Sequence, residues 1–176
     1  MKNRKFYRTL IGKKFNNIFK QFDFIVLNFE DPVKISIHAS CFVRIIDKER
    51  LLMTASDEFF THDGFEKTTD DYEKLEKEER IIDPNSLLAK NLQTVRNNLT
   101  NCVVKRIKTT ASNDLIIYFD NGIIIQLIID CLMRDFEYYR FIEFIPHFDD
   151  CFDNYKSVHY VAYNNDGRVF YKTEQE

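Results

Sequence analysis

The clearest hydrophobic pattern in the chain is a strict two-residue alternation between Lys34 and Ile46. The apolar odd-numbered positions are Ile35, Ile37, Ala39, Cys41, Val43 and Ile45. A period of two predicts one antiparallel strand with a buried and a solvated face, long enough to bend or to carry a bulge. The segment from Arg50 to Thr54 follows as its predicted hairpin partner.

Two other segments have helical spacing, with apolar residues recurring every three or four positions. These residues are Tyr7, Ile11, Phe15 and Ile18 in the first segment and Leu88, Leu92, Val95 and Leu99 in the second. The spacing predicts an N-terminal helix over 6–19 and a central helix over about 84–100. Asp83 is the predicted N-cap of the central helix, with Pro84 at its first position.

The remaining hydrophobic runs predict strands. They cover residues 22–29, 103–108, 115–119, 123–129, 138–145, 158–163 and 168–172. Asp120-Asn121-Gly122 is a hairpin signal of type I′, which requires positive φ at both central residues. The run 123–129 is apolar on both faces and is predicted to lie centrally in a sheet.

No internal repeat or linker divides the chain, so we predict a single α+β domain over residues 1–176. Its antiparallel, meander-rich sheet has the N-terminal and central helices packed on one face. Residues 57–80 do not follow either period well. They are predicted to form an acidic loop insertion with a short helix near 71–80.

Composition and motifs exclude several functional classes. No apolar run reaches the roughly 18 residues of a membrane span, and no export signal is present, so a cytoplasmic protein without a membrane partner is expected. The four cysteines lack a Cys-x-x-Cys pair, which favours reduced thiols. No nucleotide-binding or hydrolase motif occurs, and the residues from His147 to Asp153 lack zinc or EF-hand spacing. We therefore expect a non-enzymatic protein without cofactor or metal.

The net charge of −3 hides a strongly uneven distribution. Residues 1–20 carry seven basic and no acidic side chains, whereas residues 57–79 carry ten acidic and three basic ones. The total favours neither nucleic acid nor anionic lipid as a partner. The basic segment either pairs with the acidic one or contacts nucleic acid. The acidic segment suits a basic protein partner, because complementary charge speeds association and fixes register.

The candidate partner-binding residues are the acids of this segment and two aromatic anchors. They are Asp63, Phe65, Glu66, Asp70, Asp71, Tyr72, Glu73 and Glu76. An alternative site on the polar face of the long strand combines His38 and Arg44, with His159 as a second histidine, in a small phosphodiesterase or RNase. A third hypothesis is a module that self-associates through an edge strand such as Arg168 to Lys172. The oligomeric state stays open.

Short motifs also support a family resemblance. Leu10 to Lys13, Ile35 to Arg44, Asp114 to Ile125 and Tyr139 to Phe141 resemble segments of small bacterial immunity proteins that accompany polymorphic or contact-dependent toxins. The resemblance implies a single-domain cytosolic binder that neutralises a cognate protein toxin, and the acidic segment suits a basic toxin such as a nuclease. It implies no catalytic residues.

Overall fold

The computed structural model of the chain describes residues 6–31, 33–77, 83–129, 137–146, 155–165 and 168–175. Within them the chain forms eleven strands and two α-helices. The strands are β1 (Phe15–Gln21), β2 (Phe24–Phe29), β3 (Ile35–Ala39), β4 (Phe42–Asp47), β5 (Arg50–Thr54), β6 (Val104–Thr109), β7 (Leu115–Phe119), β8 (Ile123–Ile128), β9 (Glu137–Pro146), β10 (Tyr155–Asn165) and β11 (Arg168–Gln175). The helices are α1 (Thr69–Lys77) and α2 (Leu87–Leu99), and 3-10 helices cover Phe6–Leu10 and Ala55–Phe59.

The strands form two antiparallel sheets. The six-stranded sheet has the order β1-β2-β3-β9-β10-β11, and the five-stranded sheet has the order β5-β4-β8-β7-β6. Strands that follow each other in the chain are mostly neighbours, so the predicted α+β class with an antiparallel meander is confirmed. None of the helices in the described ranges is long and apolar enough to cross a membrane.

The alternating segment 34–46 is two strands, not one. All six of its odd-numbered residues are buried, as the alternation predicts. However, β3 belongs to the six-stranded sheet and β4 to the five-stranded one. The backbone N–H groups of Ser40 and Cys41 both donate to the Tyr138 carbonyl at 2.9 Å, and this contact marks the point where the chain changes sheets. The apolar side faces the core on both sides of the bend, so the pattern continues through it.

The predicted N-terminal helix over 6–19 is wrong beyond its first turn. A 3-10 helix ends at Leu10, and Gly12 follows with φ +83°. Residues from Phe15 onward form β1, which has a bulge between Phe15 and Asn17 in its pairing with β2. A bulge adds one residue, so the buried Phe15 and Ile18 are three apart in a strand and imitate helical spacing.

The central helix is confirmed over most of its length, but its start is corrected. Its buried residues are Leu88, Leu92, Val95 and Leu99, as predicted. The helix begins at Leu87 with Ser86 as N-cap, because the Ser86 hydroxyl accepts a hydrogen bond from the Ala89 N–H at 3.1 Å. Asp83 instead stabilises the preceding turn, where its carboxylate accepts from the Asn85 N–H at 2.8 Å.

One continuous hydrophobic cluster includes residues of both sheets and of α2. In the five-stranded sheet, β8 is the central strand, as predicted, and its alternate residues Ile123, Ile125 and Leu127 are buried in this cluster. The β7–β8 hairpin is not type I′, because Gly122 has φ +94° whereas Asn121 does not have positive φ. A connection with glycine alone in the left-handed region is typical of a three-residue loop.

Candidate functional site: an acidic surface with exposed aromatic rings

The acidic segment is folded over its described part, which ends at Lys77, and its first part is anchored on α2. Thr54 donates to the Asp57 carboxylate twice, through its backbone N–H at 3.0 Å and its hydroxyl at 2.9 Å. The Asn91 side-chain amide, from α2, donates to the same carboxylate at 2.8 Å. Asp57 therefore holds the 3-10 helix Ala55–Phe59 in place and is occupied within the fold.

Two ion pairs attach the segment to the rest of the protein. Lys20 of β1 pairs with Glu58, and the Lys67 ammonium lies 3.0 Å from the Asp83 carboxylate in the turn before α2. The side chains of Lys67 and Asp83 are only 4% and 13% exposed, so this second ion pair is largely shielded from water. Burial lowers the pKa of the Lys20 ammonium, an effect that Asp23 opposes and Lys67 reinforces. Together the pairs fix both ends of the segment's first half.

A tight turn displays Phe65 to solvent. The Thr61 N–H donates to the Phe65 carbonyl at 2.7 Å, and the Gly64 N–H donates to the Thr61 carbonyl at 2.8 Å. Gly64 has φ +86°, a left-handed conformation that side-chain-bearing residues rarely adopt. The turn is closed, yet the Phe65 side chain is 73% exposed. The fold therefore presents this ring at the surface rather than burying it.

Helix α1 begins with a reciprocal cap between Thr68 and Asp71. The Asp71 carboxylate accepts from the Thr68 N–H and hydroxyl, both at 2.8 Å, and the Asp71 N–H points back to the Thr68 hydroxyl at 3.4 Å. The two hydrogen bonds that Thr68 donates lower the pKa of the Asp71 carboxyl, and the one from the backbone N–H has the larger effect. Asp71 is also a predicted partner contact, and in the structure its carboxylate caps the start of the helix.

Most of the other predicted contact residues are exposed in the structure. We define the acidic surface as Asp63, Phe65, Glu66, Asp70, Tyr72 and Glu73, all of which are exposed. Glu76 lies in α1, but its side chain is outside the described residues. Phe59 was not selected from the sequence, yet it is 51% exposed and lines a cleft of about 250 Å³ together with Tyr72.

The basic N-terminal segment does not neutralise this surface within the described part of the chain. Lys20 and Glu58 form the ion pair that joins the two segments there. Arg8, Lys13 and Lys14 make no ion pair with a described acid. Residues 1–5 lie outside the described residues. Of the described basic residues in this segment, Lys20 thus pairs with Glu58, which is not part of the acidic surface.

His38 and Arg44 do not form one site. His38 stacks on Phe24, with ring centroids 5.9 Å apart, and lines a groove of about 380 Å³ on the six-stranded sheet. Arg44 lies in the five-stranded sheet, where its Nε donates to the Gln126 side chain at 2.8 Å. The register places His159 in β10 opposite Ile142, two strands away from β3. The separation follows from the change of sheets at Ser40 and Cys41.

The described residues contain no cluster of three side chains suited to hold a metal ion. The run from His147 to Asp153, whose spacing fits neither a zinc nor an EF-hand site, lies outside them. Comparison with known proteins gave no matching family model, no similar curated sequence and no similar solved structure. Any functional proposal therefore rests on the surface described above.

Proposed function

We propose that this protein is an immunity-type inhibitor that binds a basic protein partner, a cognate toxin, through its acidic surface. One observation carries the proposal. Six large hydrophobic side chains are exposed in the described part of the chain, and three of them, Phe59, Phe65 and Tyr72, lie in the acidic segment. Exposed aromatic rings surrounded by charge are typical of protein interfaces, in which a few anchors carry most of the binding energy.

The charge of the segment supports a basic partner. Acids on the surface raise the local concentration of a positively charged protein and orient it before contact. Exposed ion pairs contribute only about 0–1 kcal/mol each to the free energy of binding. The aromatic rings then supply the apolar contact area that carries more of this free energy. A toxin that acts on nucleic acid is a partner of suitable charge, because its active-site surface is basic. Covering that surface would block its substrate.

The anchoring of the segment supports a preformed binding surface. Asp57, Lys67 and Asp71 use their charges inside the fold, through Asn91, Asp83 and Thr68 respectively. Ordering a loop on binding costs free energy, so a segment that is already held in place binds more tightly than a flexible one of equal composition. Asp63, Glu66 and Asp70 remain exposed on this segment and are the acids that we propose contact the partner.

The test begins with the partner. The tagged protein is used to isolate bound proteins from its native host, and the dissociation constant for the captured protein is then measured by calorimetry. The double variant Glu66→Lys/Asp70→Lys reverses two exposed charges without touching the Asp57 or Asp71 hydrogen bonds. We expect it to weaken binding at least tenfold and to abolish protection of cells that express the partner. Phe65→Ala should weaken binding by a similar factor.

The matched control is Asp31→Lys/Glu49→Lys, which makes the same charge change at two exposed acids outside the segment. This variant should bind as the wild type does. Equal binding by the wild type and the Glu66→Lys/Asp70→Lys variant would refute the acidic surface as the binding site. A captured partner with an acidic binding face would refute the electrostatic argument.

A further inference from the structure

Every open sheet has edge strands, whose unpaired N–H and C=O groups can pair with another chain unless they are protected. The two sheets of this protein end in β1, β11, β5 and β6. Three of these four edges are protected by contacts, bulges or short length, which natural proteins commonly use to prevent pairing. The fourth edge, β11, differs from them.

The protection of β1 is direct. The Phe15 N–H donates to the Cys102 carbonyl at 2.8 Å, and the Ile18 carbonyl accepts from the Arg96 side chain at 2.7 Å. The start of β6 is occupied by the same region, because the Val104 N–H donates to the Lys13 carbonyl at 2.9 Å. These contacts close the gap between the two sheets on this side.

The rest of β6 and the whole of β5 are poor templates for pairing. β6 has a bulge between Val104 and Arg106, and it carries the basic residues Lys105, Arg106 and Lys108. β5 is five residues long, and its pairing with β4 is also bulged. Short, bulged or uniformly charged edges resist the addition of another strand.

β11 is neither short nor bulged, and its charges are of both signs, with Arg168 and Lys172 basic and Glu174 acidic. It is eight residues long, contains no proline or glycine, and pairs with β10 through eight successive residue pairs without a register shift. Its other side has no strand neighbour in the described part of the chain. It is therefore the regular edge at which a further strand can be added.

We propose that β11 pairs with β11 of a second copy of this chain, so that two six-stranded sheets form one continuous sheet across a twofold axis. The charge order of the strand selects the partner and the register. When the axis passes through Tyr171, antiparallel pairing places Arg168 of each copy opposite Glu174 of the other. Registers centred on Phe170 or Lys172 instead place basic residues opposite each other, which destabilises a sheet.

The experiment is sedimentation of the full-length protein over a range of concentrations. The wild type should show a reversible change from monomer to dimer as concentration rises. Arg168→Glu and Glu174→Arg each turn two attractive cross-strand pairs into repulsive ones, and each should raise the dimer dissociation constant roughly tenfold or more. Circular dichroism of each variant checks that it is folded.

Mixing supplies the decisive arm. An equimolar mixture of Arg168→Glu and Glu174→Arg restores both opposite-charge pairs in the heterodimer, so the mixture should dimerise as the wild type does. The double variant Arg168→Glu/Glu174→Arg should also dimerise, and Lys105→Glu on β6 should change nothing. A wild type that stays monomeric at every concentration would overturn the proposal. The proposal would also be overturned if the wild type dimerised but both single variants dimerised equally well and mixing them had no effect, because the dimer would then form through another edge.

Discussion

Replacing Lys67 with methionine tests whether the acidic segment is held in place by its ion pair with Asp83. Methionine keeps most of the length of the side chain but removes the charge. The change leaves the Asp83 carboxylate, which is 13% exposed, without its ammonium partner. It also removes the cation that lies 5.9 Å from the Tyr72 ring centroid.

The expected cost follows from this burial. Breaking a buried ion pair by removing one partner costs about 3–5 kcal/mol, because an uncompensated charge stays behind. Asp83 keeps its hydrogen bond from the Asn85 N–H, so we expect the lower end, about 3 kcal/mol. The double variant Lys67→Met/Asp83→Asn removes both charges and should cost much less than the sum of the two single changes.

Urea denaturation gives the free energy of unfolding of each variant. Lys74→Met is the matched control, because Lys74 is an exposed lysine of α1, and it should stay within about 0.5 kcal/mol of the wild type. A loss below about 1 kcal/mol for Lys67→Met, as is typical of exposed pairs, would refute the claim that this pair anchors the segment. The claim would also be refuted if the loss of unfolding free energy in the double variant equalled the sum of the losses in the two single variants.

Two further predictions concern α1 and α2. Hydrogen bonds from Thr68 lower the pKa of Asp71, so their stabilisation of α1 is complete above the ordinary aspartate range and is lost as pH falls through the lowered value. The protection factors of the α1 amides, which correct for the intrinsic pH dependence of exchange, should therefore fall in acid, and a wild-type acid response in Asp71→Asn would contradict this. Leu88→Ala on the buried face of α2 should cost about 2–5 kcal/mol in urea denaturation, whereas Lys90→Ala on its exposed face should be nearly neutral.

The sequence predicts strands best where one face is buried and the pairing is regular. The alternation of 35–45 follows directly from that pattern, and the turn signal at Asp120-Asn121-Gly122 separates β7 from β8. The N-terminal segment does not, because the bulge after Phe15 shifts the buried position and gives a strand the spacing of a helix. The change of sheet at Ser40 and Cys41 depends on a distant carbonyl, that of Tyr138, which no local pattern reveals.

The candidate site was predictable as a region but not in the role of each residue. Composition identified the acidic segment, and the exposure of Phe65 and Tyr72 agrees with their selection as anchors. The capping role of Asp71 has a local signal, since threonine followed three positions later by an acid is typical of a helix start. The role of Lys67 has no such signal, because its partner Asp83 is brought near only by the fold.

The central claim is that the acidic surface guides a basic protein to its binding site, and the salt dependence of association tests it most directly. The association rate constant with the isolated partner is measured by stopped flow at low and near-physiological ionic strength, where screening lengths are about 30 Å and 8 Å. We predict a rate that falls steeply with salt for the wild type and for Asp31→Lys/Glu49→Lys, and one that is slower and less dependent on salt for Glu66→Lys/Asp70→Lys. Equal salt dependence in all three proteins would contradict the account.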